Sequence, residues 1–445
     1  MVQDYLQSRK VQSVIVVTMS ATIAIVYSPI LYNDFLNNWD DQWMVTGNPY
    51  LNELNWSGIY SIFVEHYQGQ YSPINTIAYL VTKELAGMKP FGFHLLSLII
   101  HILNFLLVGV FIEKLLPLIK GVVLEKQACY WVAWGTSFLF ALHPMQVEAV
   151  AWISASKVLL YSFFYLAGLL AYLYYLETEK ERYYLATLVL FLCSLLSKEQ
   201  AIVFFLSLLA IDLATRTTVK NKKLWLEKMP FVVSAIVFGC FTIWVQKIYS
   251  SGPLGMDALY PLYQRVVFAN YSFWEYIIKL LTPHSLSHIY FFPMDGGESL
   301  PLRLWFYPVA TAVFIWLLIE YRRYINRVHV FGGLFFFINI ALVLHVIPIS
   351  RRWVIADRYI YLSSIGFFLI GTYTLIPRLL NDSRSKAKKS IIIVAVSVYL
   401  IILCGYTHQR TKVWENMQTL NQDVKQTLEK HLSESSYLEN RLIKE

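Results

Sequence analysis

Apolar runs long enough to cross a bilayer recur along this chain, and the short loops between them collect its basic residues. Such runs lie near 11–32, 92–118, 129–142, 158–176, 183–197, 200–214, 229–249, 304–320, 330–349, 359–377 and 390–407. A spanning helix needs about 20 mostly apolar residues, so the pattern predicts an all-α polytopic membrane protein with about eleven transmembrane helices. Composition closes the other routes. Of the 445 residues 57% are hydrophobic and 15% charged, against about 25% charged in soluble domains. The mean hydropathy is +0.48. Soluble-enzyme and disordered-chain readings are therefore excluded. The net charge of +8 is spread over loops rather than gathered in a patch, so no nucleic-acid partner is expected. Cys129, Cys193, Cys240 and Cys404 sit in apolar stretches without metal or CxxC spacing. They read as small hydrophobes.

Arg9 and Lys10 precede a first run too long for a signal-peptide core, so it reads as a retained span. The positive-inside rule then sets the threading. With the N-terminus cytoplasmic, Lys120, Lys126, Lys180, Arg182 and the group Arg216, Lys220, Lys222, Lys223 and Lys228 fall inside. The segment 263–283 is interrupted by Arg265, Asn270, Glu275 and Lys279. If it dips or lies flat, Arg322, Arg323, Arg327 and the stretch from Arg384 to Lys389 also fall inside. The C-terminus is then periplasmic. Residues 1–407 form the membrane domain, and 408–445 a polar amphipathic helix with Val413, Met417, Leu420, Val424 and Leu428 at helical spacing. Loop 33–90, segment 143–157, the Ser197–Glu199 turn and loop 350–358 all lie on the outer side. The loops 33–90 and 250–302 are too long for connectors alone. Within the first, Trp56, Ile59 and Phe63 share a helical face, as in an interfacial helix.

Four clusters could carry chemistry. Asp40 and Asp41, in NNWDDQW, could be solvated loop charges, or one could take a proton from an attacking hydroxyl while the other orients it. His143 and Glu148 lie in LFALHPMQVEAVAWISASK, where Glu148 could also simply pair with Lys157. Lys198 and Glu199 sit between two short apolar runs, either as a salt bridge or as part of a site. Arg351, Arg352 and Arg358 stand near an outer membrane edge, against the topology rule. Guanidinium forks suit phosphate oxygens, so a lipid phosphate is their natural partner. His94, Ser97, His101 and Asn104 form a polar stripe. Its two histidines are about 10.5 Å apart along a helix, too far to share an ion, so the stripe is expected to face neighbouring helices.

Taken in order, WDDQWMVTGNP, QYSPINTIAYLVTKELAGMKPFGFHLLSLIIHILN, LFALHPMQVEAVAWISASK, SKEQAI and ADRYIYLSSIGF resemble the transmembrane-and-TPR O-mannosyltransferases and their bacterial relatives. These belong to the glycosyltransferase C superfamily. The tail piece QRTKVWENMQTL is similar to the family's join between last span and repeats. The resemblance covers most of 33–215 and 350–420. It implies a multi-span bundle using a polyprenyl-phosphate sugar, with a catalytic carboxylate in the first outer loop. Asp41 is then expected as the base with Asp40 supporting. Three departures stand out: Ser72 where relatives commonly have arginine, Lys157-Val158 in place of arginine and an acidic residue, and no 34-residue repeat within this chain.

The expected function is inverting transfer of a hexose, mannose by resemblance, from a polyprenyl-phosphate donor to a Ser or Thr hydroxyl of an exported protein. Arg351, Arg352 or Arg358 would stabilise the leaving phosphate, and His143, Glu148, Lys198 and Glu199 would line the site. No metal site is indicated and no cofactor is required, although a divalent cation stays open. Expected partners are the lipid-linked sugar, the exported acceptor and the bilayer; the expected location is a bacterial inner membrane. Two competitors are transfer to an envelope glycan or lipid, which the missing repeats favour, and a lipid-sugar flippase. Clustering of ionisable residues at one face, rather than at the midplane, argues against the flippase. A scaffold in a larger envelope complex would rest only on the charged C-terminal helix.

Overall fold

A computed structural model describes residues 9–442 except 53, 217–221, 250–259, 295, 347–352 and 382–385. Among them every regular element is helical. The N-terminal half comprises α1 (Arg9–Tyr27), α2 (Trp56–Val64), α3 (Pro73–Ala86), α4 (Pro90–Leu118), α5 (Lys126–Leu142), the short α6 (Val147–Ala151), α7 (Ser156–Thr178) and α8 (Glu181–Ser197). The rest comprises α9 (Phe204–Thr215), α10 (Lys222–Tyr249), α11 (Leu262–Leu281), α12 (Phe306–Glu320), α13 (Arg327–Ala341), α14 (Ser364–Asn381), α15 (Lys386–Val413) and α16 (Met417–Leu442). Each of the eleven apolar runs holds a helix. Six of those helices are long and apolar enough to cross a membrane: those at Arg9–Tyr32, Pro90–Leu118, Ile153–Thr178, Leu224–Ile248, Leu302–Glu320 and Lys389–Val413. Arg327–Ala341 and Ser364–Leu380 are shorter apolar helices.

The centre of the bundle is built by α4 and α7, which are apolar around most of their circumference and packed against α5 and α8. A helix hydrophobic on all sides must be surrounded either by other helices or by lipid. The peripheral α1, α10, α12 and α15 show the second case, with Val17, Ile236, Phe306 and Ile401 exposed. Close approach inside the bundle is made by small residues. Gly366 of α14 meets Gly332 of α13 so tightly that an added Cβ would stand 2.3 Å from the Gly332 carbonyl oxygen. The polar stripe on α4 faces neighbours as expected. His101 bonds Tyr361 at 2.7 Å and the Ala141 carbonyl at 3.1 Å, while Asn104 donates to the Leu159 carbonyl at 3.0 Å.

The first long loop folds as a cap on one end of the bundle. α2 leaves Trp56 and Tyr60 exposed and turns Ile62 into a small core with Met44, Val45, Leu51 and Tyr79. α3 begins with a proline at its first turn, where a missing N–H costs nothing, and ends at Gly87 in a positive-φ conformation (+68°). Tyr79 of α3 donates to the Ile153 carbonyl at 2.6 Å and bonds the Ser156 hydroxyl at 2.8 Å. The loop is thereby locked onto the entry to α7, where the site forms.

Candidate active site

The two adjacent aspartates have different surroundings, because successive residues in a helical turn point about 100° apart. Asp41 is 1% exposed. Its Oδ2 accepts from the Leu36 amide at 3.0 Å, and its Oδ1 accepts from both the amide (3.0 Å) and the hydroxyl of Ser154. Burial pushes its carboxyl above the ordinary range, against the pull of the Ser154 and Leu36 hydrogen bonds. Asp41 thus fastens the first loop to the turn before α7. Asp40 is half-buried, accepts from the Trp43 indole at 3.1 Å, and faces a cavity.

That cavity, of about 500 Å³, is walled by Asp40 and Gln70 of the first loop, and by Trp152, Ser154 and Lys157 around the start of α7. Lys198 and Glu199 of the α8–α9 turn, Thr242, Gln246 and Lys247 of α10, and Arg358 and Tyr359 complete it. The segments expected on one side of the membrane therefore meet in one space. Four cations, Lys157, Lys198, Lys247 and Arg358, face two carboxylates, Asp40 and Glu199. The Lys157 amine donates to Gln70 Oε1 at 2.5 Å, and Lys198 lies 3.8 Å from Glu199.

Glu148 does not pair with Lys157. Buried at 2%, it receives the Arg358 guanidinium at 2.5 Å and the Arg358 backbone amide at 2.7 Å. Arg358 also lies over the Trp152 ring at 5.1 Å. Glu148 therefore sets the position of Arg358 without lining the cavity. His143 does not line it either: fully buried, it accepts from the Met145 amide at 3.4 Å and caps the turn after α5. Burial lowers its pKa to about 3, which keeps the ring neutral. Arg351 and Arg352 lie outside the described residues. Among the described residues no three of His, Cys, Asp and Glu converge as metal ligands would. Sequence reasoning missed Gln70, Lys247 and the cavity role of Lys157. Thr242, Gln246 and Lys247, at helical spacing on an otherwise apolar run, were the available signal for the α10 wall.

No family model matches the chain. The human "Protein O-mannosyl-transferase TMTC1" is 23% identical over 92% of this chain and 51% of its own length. The chain resembles the protein O-mannosyl-transferases across most of its length. A protein O-mannosyl-transferase of Caenorhabditis elegans is 21% identical over 89% of this chain and 55% of its own. One from Drosophila melanogaster reaches 29% over 30% of this chain and 14% of its own. The chain spans about half the length of the human and nematode relatives.

Proposed function

We propose that this chain is an inverting membrane glycosyltransferase that moves a hexose, in the first instance mannose, from a polyprenyl-phosphate donor to a Ser or Thr hydroxyl of an exported protein. The observation that carries the reading is the cavity in which Asp40 faces Lys157, Lys198, Lys247 and Arg358. The names of the relatives supply the sugar and the acceptor class. In this account Asp40, not the buried Asp41, accepts the proton of the acceptor hydroxyl. A positioned base of this kind contributes about 10²–10⁴-fold. The hydroxyl oxygen bonds the anomeric carbon as that carbon's bond to the phosphate oxygen breaks, and the polyprenyl phosphate leaves with the electron pair. Its gain of negative charge is met by Arg358 and the lysines, the kind of preorganised electrostatic effect that contributes most to many enzymes. Phosphate is already a good leaving group, so neither an added acid nor a cofactor is called for. A bacterial inner membrane, with this cavity at its outer face, is the proposed setting.

The reading is tested with purified protein and a panel of polyprenyl-phosphate hexoses, following release of polyprenyl phosphate with and without a Ser/Thr-rich peptide. Peptide-dependent release from the mannose donor, unchanged by a chelator, is the expected result. Release with an envelope glycan alone would overturn the protein acceptor. No donor consumed under any condition would overturn the transferase.

A further inference from the structure

The QRTKVWENM segment, which runs from the end of α15 into the start of α16, is fastened to the wall of the cavity. Trp414 is 1% exposed and stacks on Trp152 with ring centroids 5.7 Å apart and planes 22° from parallel. Trp152 is the cavity residue over which the Arg358 guanidinium lies. Trp414 also meets His288 edge-on at 5.7 Å, and His288 meets Trp39, the neighbour of Asp40, at 5.4 Å. The backbone is knitted in the same way. The Asp34 amide donates to the Glu415 carbonyl at 2.8 Å, and the Asn33 side chain to the Thr411 carbonyl at 3.3 Å. Arg410 pairs with Asp423 at 2.7 Å, which ties α16 back to the same segment.

Trp414 sits in the buried core of the bundle and reaches the two loops at one remove, through Trp152 beneath Arg358 and through His288 against Trp39. The indole nitrogens of Trp152 and Trp414 and the His288 Nδ1 are buried without a hydrogen-bond partner among the described residues. The linkage therefore rests on ring shape and stacking, which a phenylalanine retains and an aliphatic side chain does not.

We propose that Trp414 is a positioning residue: through Trp152 and His288 it holds the Arg358 guanidinium and the Trp39–Asp40 turn in register, so that the C-terminal segment sets the geometry of the cavity. This rests on the transferase reading above. Small misplacements at a reacting centre are costly, and a 1 Å error can lower the rate by about a hundredfold.

The test compares full-length wild type, Trp414→Phe, Trp414→Ala and Trp414→Leu in two measurements. The first is steady-state release of polyprenyl phosphate from polyprenyl-phosphate-mannose. Trp414→Phe should keep kcat within about threefold of wild type, while Trp414→Ala and Trp414→Leu lose about tenfold or more in kcat with donor KM nearly unchanged. The second is amide hydrogen exchange, independent of activity, in which the ring-less variants should exchange faster at 33–41 and 353–360 while α4 and α7 keep their protection. Trp414→Leu fills most of the volume and carries the comparison if the alanine variant does not accumulate. Unchanged kcat in the ring-less variants would overturn the proposal, as would a loss of protection spread evenly over the bundle. A wild type that consumes no donor would instead overturn the transferase reading. Exchange unchanged at both loops would then overturn the coupling as well.

Discussion

At the scale of single residues, the division of labour between Asp40 and Asp41 comes from a contact far along the chain. The NNWDDQW motif marks both carboxylates, but which one is buried depends on Ser154, 113 residues from Asp41. No local pattern encodes that meeting: the family resemblance implies Asp41 as the base, whereas Asp40 is the one that lines the cavity. Asp41→Asn turns one accepting oxygen into a donor facing either the Leu36 or the Ser154 amide. It should destabilise the protein by about 1–3 kcal/mol, the cost of stranding buried partners. Thermal unfolding in detergent would read this as a lowered midpoint; an unchanged midpoint would contradict the role. Asp357 makes a second prediction. Burial and then the nearby Glu148 raise its carboxyl pKa to about 7, against the opposing pull of Arg410 and the Tyr290 hydroxyl. The unfolded carboxyl titrates near 3.9. Between about pH 4 and pH 7 the folded state thus keeps a proton that the unfolded state has lost, and stability falls as pH rises through that window. Asp357→Asn should flatten this fall in a series of melting curves, and an unaltered slope would count against it.

At the scale of helices, hydropathy was a good guide and length was not. All eleven apolar runs hold a helix, yet among the described residues six helices are both long and apolar enough to cross a bilayer on their own. One of the others stops early because the chain turns into the site: α8 ends at Ser197, and the next residue, Lys198, lines the cavity. A hydropathy window averages over such turns and cannot register them. Packing was equally hidden, since a glycine in an apolar run does not announce its partner. Gly366 and Gly332 make a close approach between α13 and α14. Gly366→Ala would push a methyl into the Gly332 carbonyl and the Phe336 amide, the latter 2.8 Å from the added carbon. Overpacking of this kind costs about 1–3 kcal/mol or more where only backbone can yield. A drop in detergent melting temperature is expected, and no drop would mean that the two helices separate freely.

At the scale of the whole molecule, the distribution of basic residues carried more information than any motif. Placing the lysine- and arginine-rich loops on one side puts loop 33–90, segment 143–157, the Ser197–Glu199 turn and loop 350–358 together on the other. Residues from each of the four line or brace one cavity: Asp40, Lys157, Lys198 and Arg358, the last held by Glu148. The α10 wall was not legible at this scale, because α10 contributes polar residues from the end of a run that otherwise reads as lipid-facing. The resulting shape is a helical bundle with a capped polar chamber at one end. Its four cations among the described residues suit a phosphate, and Asp40 and Glu199 are the carboxylates set among them. The most direct test of this account is polyprenyl phosphate release from polyprenyl-phosphate-mannose by Asp40→Asn and Asp41→Asn, each assayed below its own melting temperature. Loss of about 10²-fold or more in kcat for Asp40→Asn at unchanged stability, with Asp41→Asn impaired mainly in stability, is the predicted result. Full turnover by Asp40→Asn, or a stable but inactive Asp41→Asn, would contradict it.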